Sequence, residues 1–402
     1  MSITAIRRFC CLPQVLLSLC GLILFYRKSD QFFNPQFWAE DGYFFSTFFQ
    51  EHWASLLTPY AGYLHLLPRL IAGTSFWWDP AYAPAWFVGC SVATTLYVTA
   101  RALSPRQIFS NGPILALAVV LVPDAFEVLL NVTNLQWILA AGFALLLLSE
   151  DPKSLVSYFH DVSTVILVGL TGPFSVILAP LFWVRAFTRK SRASWLLAGL
   201  VSLTALIQIN FIRQLHDSPA KAAQINTAAG LGATGTRLAG SLFTGGRVNG
   251  NSTLLLRYFF AACTVAMVVA IAMRRDSSRP ARLVLATAFA LLLTASLYRC
   301  RWVLIELQNP GYGARYFYPL QLFLIWLLTT LLNDVHRAWR WSAFLLLAGA
   351  LFVNAPRLRE SALDDLRWAS YANRIRSGEA VVIPINPDGW SITLPAGQPS
   401  KR

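Results

Sequence analysis

Long apolar stretches separated by short polar ones set the pattern of this chain. Apolar runs of about 18 residues, the length that lets a helix cross the hydrocarbon core of a bilayer, recur from end to end. The first covers roughly Leu12 to Tyr26 and the next Tyr82 to Ala100. Runs near Pro113 to Val122, Val132 to Leu148, Leu155 to Leu170, Pro173 to Phe187 and Ser194 to Ile212 follow. The last four lie near Leu254 to Met273, Leu283 to Leu297, Phe317 to Leu332 and Trp341 to Val353. The pattern predicts an all-α polytopic membrane protein with about eleven transmembrane helices. Residues 1–353 make the membrane unit, and residues 354–402 a short tail.

Lys and Arg in the short loops set the expected orientation. Arg7-Arg8, Arg101 with Arg106, Arg185/Arg189/Lys190/Arg192, Arg274/Arg275/Arg279/Arg282 and Arg337 with Arg340 fall on one side under this assignment. That side reads as cytoplasmic, with the N-terminus inside and the C-terminus outside. The parity holds if Tyr63 to Trp78, which contains His65, Pro68 and Arg69, does not cross. Its short length and internal Pro and Arg fit a re-entrant or interfacial element. The outer face then carries the loop 27–79, a Gly-rich loop 213–253, the loop 298–316 and the tail. Within the tail, 378–390 alternates like one short strand followed by a Pro/Gly turn.

Composition agrees. The chain of 402 residues is 56% hydrophobic and 13% charged, against about 25% charged in a soluble domain. The net charge of +14 comes mostly from residues flanking apolar spans, where it sets topology and meets anionic lipid. It does not point to nucleic acid. Arg7-Arg8 ahead of an apolar run also has the form of a signal peptide, but the run continues past any cleavage site, so a retained first span is expected. The six cysteines form no metal knuckle or disulfide framework. Cys300 alone looks loop-exposed.

Charged groups near lipid are costly and usually functional, which singles out Phe37-Trp38-Ala39-Glu40-Asp41-Gly42-Tyr43-Phe44-Phe45. Phe44, Phe45, Phe48, Phe49 and Trp53 then recur at helical spacing, as in a helix lying in the interface plane. Glu40 and Asp41 fall just before its first turn, where the helix dipole favours a carboxylate; this position also suits a simple capping pair. A carboxylate shielded by aromatics can serve as a general base toward a hydroxyl. Outward cations suit a phosphate headgroup: Arg69 and Arg315 first, with Arg301 and His65. Snorkelling explains many of the others. Asp124, Glu127, Asn131, Asn134, Gln136 and Trp137 gather at the mouth of a hairpin, as a sugar site would require, or as polar glue between helices. Asn131 and Asn251 stand in glycosylation sequons of low specificity. Walker, dinucleotide, His-Glu-x-x-His and Gly-x-Ser-x-Gly motifs are missing. An outward-facing enzyme of this kind would draw its activated donor from the membrane.

Trp38-Ala-Glu40-Asp41-Gly, Tyr60-Ala-Gly62-Tyr63-Leu-His65-Leu-Leu-Pro68-Arg69, Asn134-Leu-Gln136-Trp137, Arg315-Tyr-Phe-Tyr-Pro319 and Asn386-Pro-Asp-Gly-Trp390 together give a resemblance. The chain resembles bacterial multi-spanning proteins grouped with the GT-C-type glycosyltransferases. The resemblance implies a GT-C-like fold with interfacial helices in the first outer loop, in the bacterial inner membrane. It implies an inverting transferase moving a sugar from a polyprenyl-phosphate donor to a glycan or lipid acceptor on the outer face. Asp41 or Glu40 would be the base, with Asp124 a second outer-loop carboxylate. Arg69, Arg315, Arg301 and His65 would hold the donor phosphate, and Asn134, Gln136, Trp137 and Tyr63 the sugar or acceptor. A divalent cation, Mg or Mn, is compatible with that chemistry. The chain departs from larger members in lacking a big C-terminal soluble domain. A lipid-linked glycan flippase and an O-antigen polymerase or ligase are the competing readings.

Overall fold

The computed structural model describes residues 13–216, 226–309 and 311–397. Arg7, Arg8, Cys10 and Cys11 lie outside the described residues. The fold is mostly helical, and all its features below refer to the described residues.

The chain opens with α1 (Pro13–Arg27) and a short α2 (Asp30–Phe33). The first loop carries α3 (Asp41–Glu51) and α4 (Leu66–Ser75). A series of longer helices follows: α5 (Ala83–Ala102), α6 (Gly112–Leu121), α7 (Leu135–Leu147), α8 (Leu155–Gly169), α9 (Phe174–Arg189) and α10 (Arg192–His216). After them come α11 (Thr227–Gly235), a π-helical turn (Thr236–Gly240) and α12 (Ser241–Thr244). The bundle closes with α13 (Leu254–Met273), α14 (Arg279–Arg299), α15 (Ala314–Thr330) and α16 (Arg337–Asn354). The tail holds α17 (Trp368–Arg376) and the antiparallel hairpin β1 (Val381–Ile385) and β2 (Trp390–Leu394).

Six segments are long and apolar enough to cross a membrane: Pro80–Ala102, Arg192–Gln214, Leu254–Met273, Arg279–Arg299, Ala314–Asn333 and Arg337–Arg357. Four of the other expected spans are shorter apolar helices, α1, α6, α7 and α8. Packing accounts for the short ones. The 13 residues of α7 reach only about 20 Å, against a hydrocarbon core of about 30 Å. Every one of those residues is buried, so α7 meets protein instead of lipid and its length is not set by the bilayer. α9 runs unbroken for 16 residues with Pro180 inside it.

Side-chain bonds sort the helix ends into two poles. At one, Asp161 pairs with Arg101 (3.1 Å) and Arg106 (2.6 Å). Asp151 there pairs with Arg185, and Asp334 with Arg274. Gln107 reaches Ser149, and Asn111 reaches the Thr329 carbonyl, so these pairs belong to one surface. Arg101, Arg106, Arg185 and Arg274 of the sequence pattern therefore share an end of the bundle. At the other pole, Arg27 donates to the carbonyls of Val120 and Val122 and pairs with Glu360 at 2.8 Å. Gln208 of α10 bridges the backbone of Leu64 and Gly172.

Four sequence expectations need correcting. The Gly-rich stretch is no open loop where it is described: 227–244 is helical and largely buried. Its small residues allow backbone contact, since a Cβ on Gly235 would lie 2.0 Å from the Arg257 carbonyl oxygen of α13. The aromatic face of α3 is not laid in the interface either. Phe44, Phe45 and Phe48 are buried against Phe76, Trp368 and Trp53, because α4 and the tail cover them. Cys300 is also buried, where burial pushes its thiol up to about 11. The segment expected not to cross holds α4, a ten-residue helix about 15 Å long, with Pro68 and Arg69 both buried. The tail forms two strands, not one. Its turn docks on the acidic motif, where Trp38 bridges Asn386 and the Ala39 amide donates to the Asn386 carbonyl at 2.5 Å.

Candidate functional site

The acidic motif sits on a forced turn. Ala39 adopts φ +46°, a left-handed conformation that costs a residue with a Cβ. The Asn386 contact and the 2.9 Å bond from the Asp41 amide to the Trp38 carbonyl hold it there. The turn sends the two acids in different directions, so they do different work.

Asp41 points inward. Its carboxyl is 1% exposed, and Oδ1 accepts from the Val132 amide (3.1 Å), the Thr133 amide (2.7 Å) and the Thr133 hydroxyl (2.7 Å). Burial nevertheless outweighs these donors and pushes its pKa up to about 7. Asp41 thus clamps the first loop to the segment that leads into α7. Asp41 has no oxygen left for an incoming alcohol except Oδ2, which takes a long 3.4 Å contact from the Trp38 amide.

Glu40 is half-buried and points the other way, with Oε1 accepting from the Tyr60 hydroxyl at 3.4 Å. Tyr60 and Tyr63 close a tight turn through reciprocal backbone bonds of 3.0 and 3.2 Å. Ala61 and Gly62 both take positive φ, which puts the two phenols on one side. Burial, then Glu40, raises the Tyr60 pKa, and burial raises that of Tyr63, so both stay protonated donors. Arg315 lies within electrostatic reach of Glu40, Tyr60 and Tyr63. Its guanidinium is a third exposed and only loosely tied to Glu127, at 3.6 Å, while its backbone amide donates to the same carboxylate at 3.2 Å. Arg299 acts on Tyr63 and Tyr316 from the same side.

Behind these groups Trp137 packs edge-on against Tyr316, 5.0 Å between centroids. The Gln136 amide faces Tyr63. Trp137 Nε1 and Gln136 Oε1 are buried with no hydrogen-bond partner, one donor and one acceptor. Buried polar atoms are rarely left in that state without a reason.

The structure therefore brings Glu40, Tyr63, Arg315, Gln136 and Trp137 together, with His65 beside them. His65 stacks on Tyr63 at 4.7 Å, and burial pulls its pKa down to about 3, so it has no charge to offer a phosphate. Arg69 is fully buried under the motif. It donates to the Thr58 carbonyl at 2.9 Å and lies over Tyr43 and Phe44, bracing the aromatic layer. Asn134 binds the Glu127 carbonyl and Asn131 accepts from the Asn134 amide, which makes both internal to their loop; the Asn131 sequon is buried. Arg301 stacks on Trp302 (4.0 Å) and Tyr298 (4.5 Å). Asp124 belongs to another cluster, with Ser241, Arg237 and Arg357.

The sequence assigns no site role to Tyr60, Thr133 or Tyr316, although the two tyrosines stand in motifs that carry the resemblance. Gly62 was the readable signal for Tyr60, because a glycine two residues on marks the turn that pairs it with Tyr63. Nothing in the sequence ties Thr133 to Asp41 across 92 positions.

Among the described residues no three His, Cys, Asp or Glu side chains gather to hold a metal ion. Of the acids near this site, Asp41 accepts from amide and hydroxyl donors and Glu127 lies 3.6 Å from Arg315. Compared with family models, curated proteins and solved structures, the chain matches none.

Proposed function

We propose that this chain is an integral-membrane, inverting glycosyltransferase of the GT-C type. It moves a sugar from a polyprenyl-phosphate donor to a glycan or lipid acceptor on the outer face of the bacterial inner membrane. In this reading the chain crosses the membrane about eleven times, with the arginine-rich pole in the cytoplasm and the acidic motif outside.

The observation that carries the reading is the pairing of a half-buried Glu40 with Tyr60 beside an incompletely paired Arg315. An acceptor hydroxyl next to Glu40 gives up its proton as its oxygen attacks the anomeric carbon. The bond from that carbon to the phosphate oxygen breaks on the opposite face, and the departing phosphate gains charge. Arg315 stabilises that charge, most strongly in the transition state. In this reading Trp137 and Gln136, buried behind Tyr316 and Tyr63, back the wall on which the sugar rests. Asp41 is the positioning residue that fixes the turn.

Outward-facing vesicles supplied with a radiolabelled polyprenyl-phosphate sugar test this. Wild-type vesicles transfer label to an endogenous acceptor, and Glu40→Gln vesicles with normal protein content do not. An Arg299/Arg301 double variant that kills transfer while Glu40→Gln does not would select the polymerase or ligase reading instead.

A further inference from the structure

An apolar groove of about 320 Å³ runs between α6, α15 and α16. Ile114, Leu117 and Leu121 line one wall and Phe344, Leu347 and Leu351 the other. Phe344 and Leu351 are 50% and 49% exposed, so the groove opens sideways, toward whatever surrounds the bundle. At one end its lining changes to Pro123, Leu242, Asn354 and Leu358, each next to or near a polar cluster.

That cluster is built around Asp124. Its Oδ2 accepts from Ser241 at 2.9 Å, and its Oδ1 meets Arg357 at 3.4 Å. Arg237, on the π-helical turn, approaches Oδ2 at 3.7 Å. Arg237 is 2% exposed, and its Nε has no partner. Arg357 also reaches Asn354 Oδ1 at 3.3 Å, which ties it to the groove wall, and stays a third exposed. Nearby, Arg27 and Lys28 share Glu360, and Arg27 contacts the Pro123 carbonyl. Four cations thus face two carboxylates, a surplus of two positive charges at the head of an apolar channel.

We infer that this groove takes one acyl chain of an anionic phospholipid from the surrounding leaflet, with its phosphate seated on Arg357. The charge surplus matches a phosphodiester, and a guanidinium binds phosphate in bidentate fashion. The site is separate from the Glu40 cluster: the residues that hold Asp124 are Ser241, Gln321, Arg237 and Arg357, and Glu40 bonds Tyr60. The two are joined by one loop. The segment from Pro123 to Asn134 carries Asp124 at the groove, Glu127 on Arg315, and the Val132 and Thr133 amides on Asp41. A lipid that satisfies Arg357 fixes this loop and so steadies the residues around Glu40. The inference concerns binding and stability, and it stands or falls apart from the transferase reading.

The test uses the purified full chain in neutral detergent, titrated with phosphatidylglycerol, phosphatidylcholine or a polyprenyl phosphate while thermal unfolding is followed. Arg357→Gln removes the phosphate contact, and Ala348→Phe fills the groove from an exposed position on its wall. Phosphatidylglycerol is expected to raise Tm where phosphatidylcholine does not. Each variant should need about tenfold more phosphatidylglycerol for the same rise. Equal responses to the two phospholipids, or a wild-type response in both variants, would overturn the proposal. A rise produced by polyprenyl phosphate alone would also overturn it, and would assign the groove to a lipid-linked substrate.

Discussion

Asp41 Oδ1 lies 2.7 Å from both the backbone nitrogen and the hydroxyl oxygen of Thr133. One carboxyl oxygen thereby fastens the first loop to the entry of the central, wholly buried helix α7. Removing the hydroxyl should loosen that junction. Thr133→Val is expected to lower stability by about 1–2 kcal/mol. Asp41→Ala should cost more, because two buried amides lose their acceptor together. Thermal unfolding in detergent measures both.

The same residue gives a pH signature. Burial raises the native pKa of Asp41 from 3.8 to about 7, so between those values the folded state binds more protons than the unfolded one. Its contribution is complete below the unfolded pKa and falls as pH rises through the native one, by at most about 1.4 kcal/mol per pH unit. Stability should therefore decline from pH 4 toward pH 7 and change little above it on this account. Asp41→Asn, isosteric with the neutral acid, should flatten that slope.

Two glycines should behave differently. A Cβ at Gly235 would sit 2.0 Å from the backbone oxygen of Arg257, which cannot rotate away, so Gly235→Ala must push α11 off α13. A Cβ at Gly42 would meet Ile385 Cδ1 and Ile392 Cγ1 at 2.6 Å, side-chain atoms that can shift. Gly235→Ala is expected to cost about 3 kcal/mol or more, beyond the usual overpacking penalty. Gly42→Ala should cost about 1 kcal/mol and show itself as faster proteolysis of the β1–β2 hairpin.

Arg315 makes a prediction about the donor. Its guanidinium is positioned by Glu127 and by stacking on Tyr316, and a lysine would keep the charge but lose the fork. Arg315→Lys should lower kcat by about tenfold or more while KM for the labelled donor changes less.

The helical, multi-spanning character was legible because apolar runs and loop arginines are local signals. So was the clustering of the basic loop ends, visible in the Arg101–Asp161 and Arg274–Asp334 pairs. Helix length was not legible for α7, since an apolar run reads alike whether protein or lipid surrounds it. The division of labour between the two acids was equally hidden. Adjacent in sequence, Glu40 and Asp41 take different partners, Tyr60 and Thr133, both distant in sequence. Asp124, grouped by sequence with Gln136 and Trp137, is held by Ser241 and Arg357 instead. Such long-range pairings leave no local pattern.

The most direct measurement compares single-turnover sugar transfer from a labelled polyprenyl-phosphate donor by wild type, Glu40→Gln and Asp41→Asn, each verified as folded. The account predicts that Glu40→Gln abolishes transfer and that Asp41→Asn retains a measurable rate. Undiminished transfer by Glu40→Gln, with loss confined to Asp41→Asn, would contradict it.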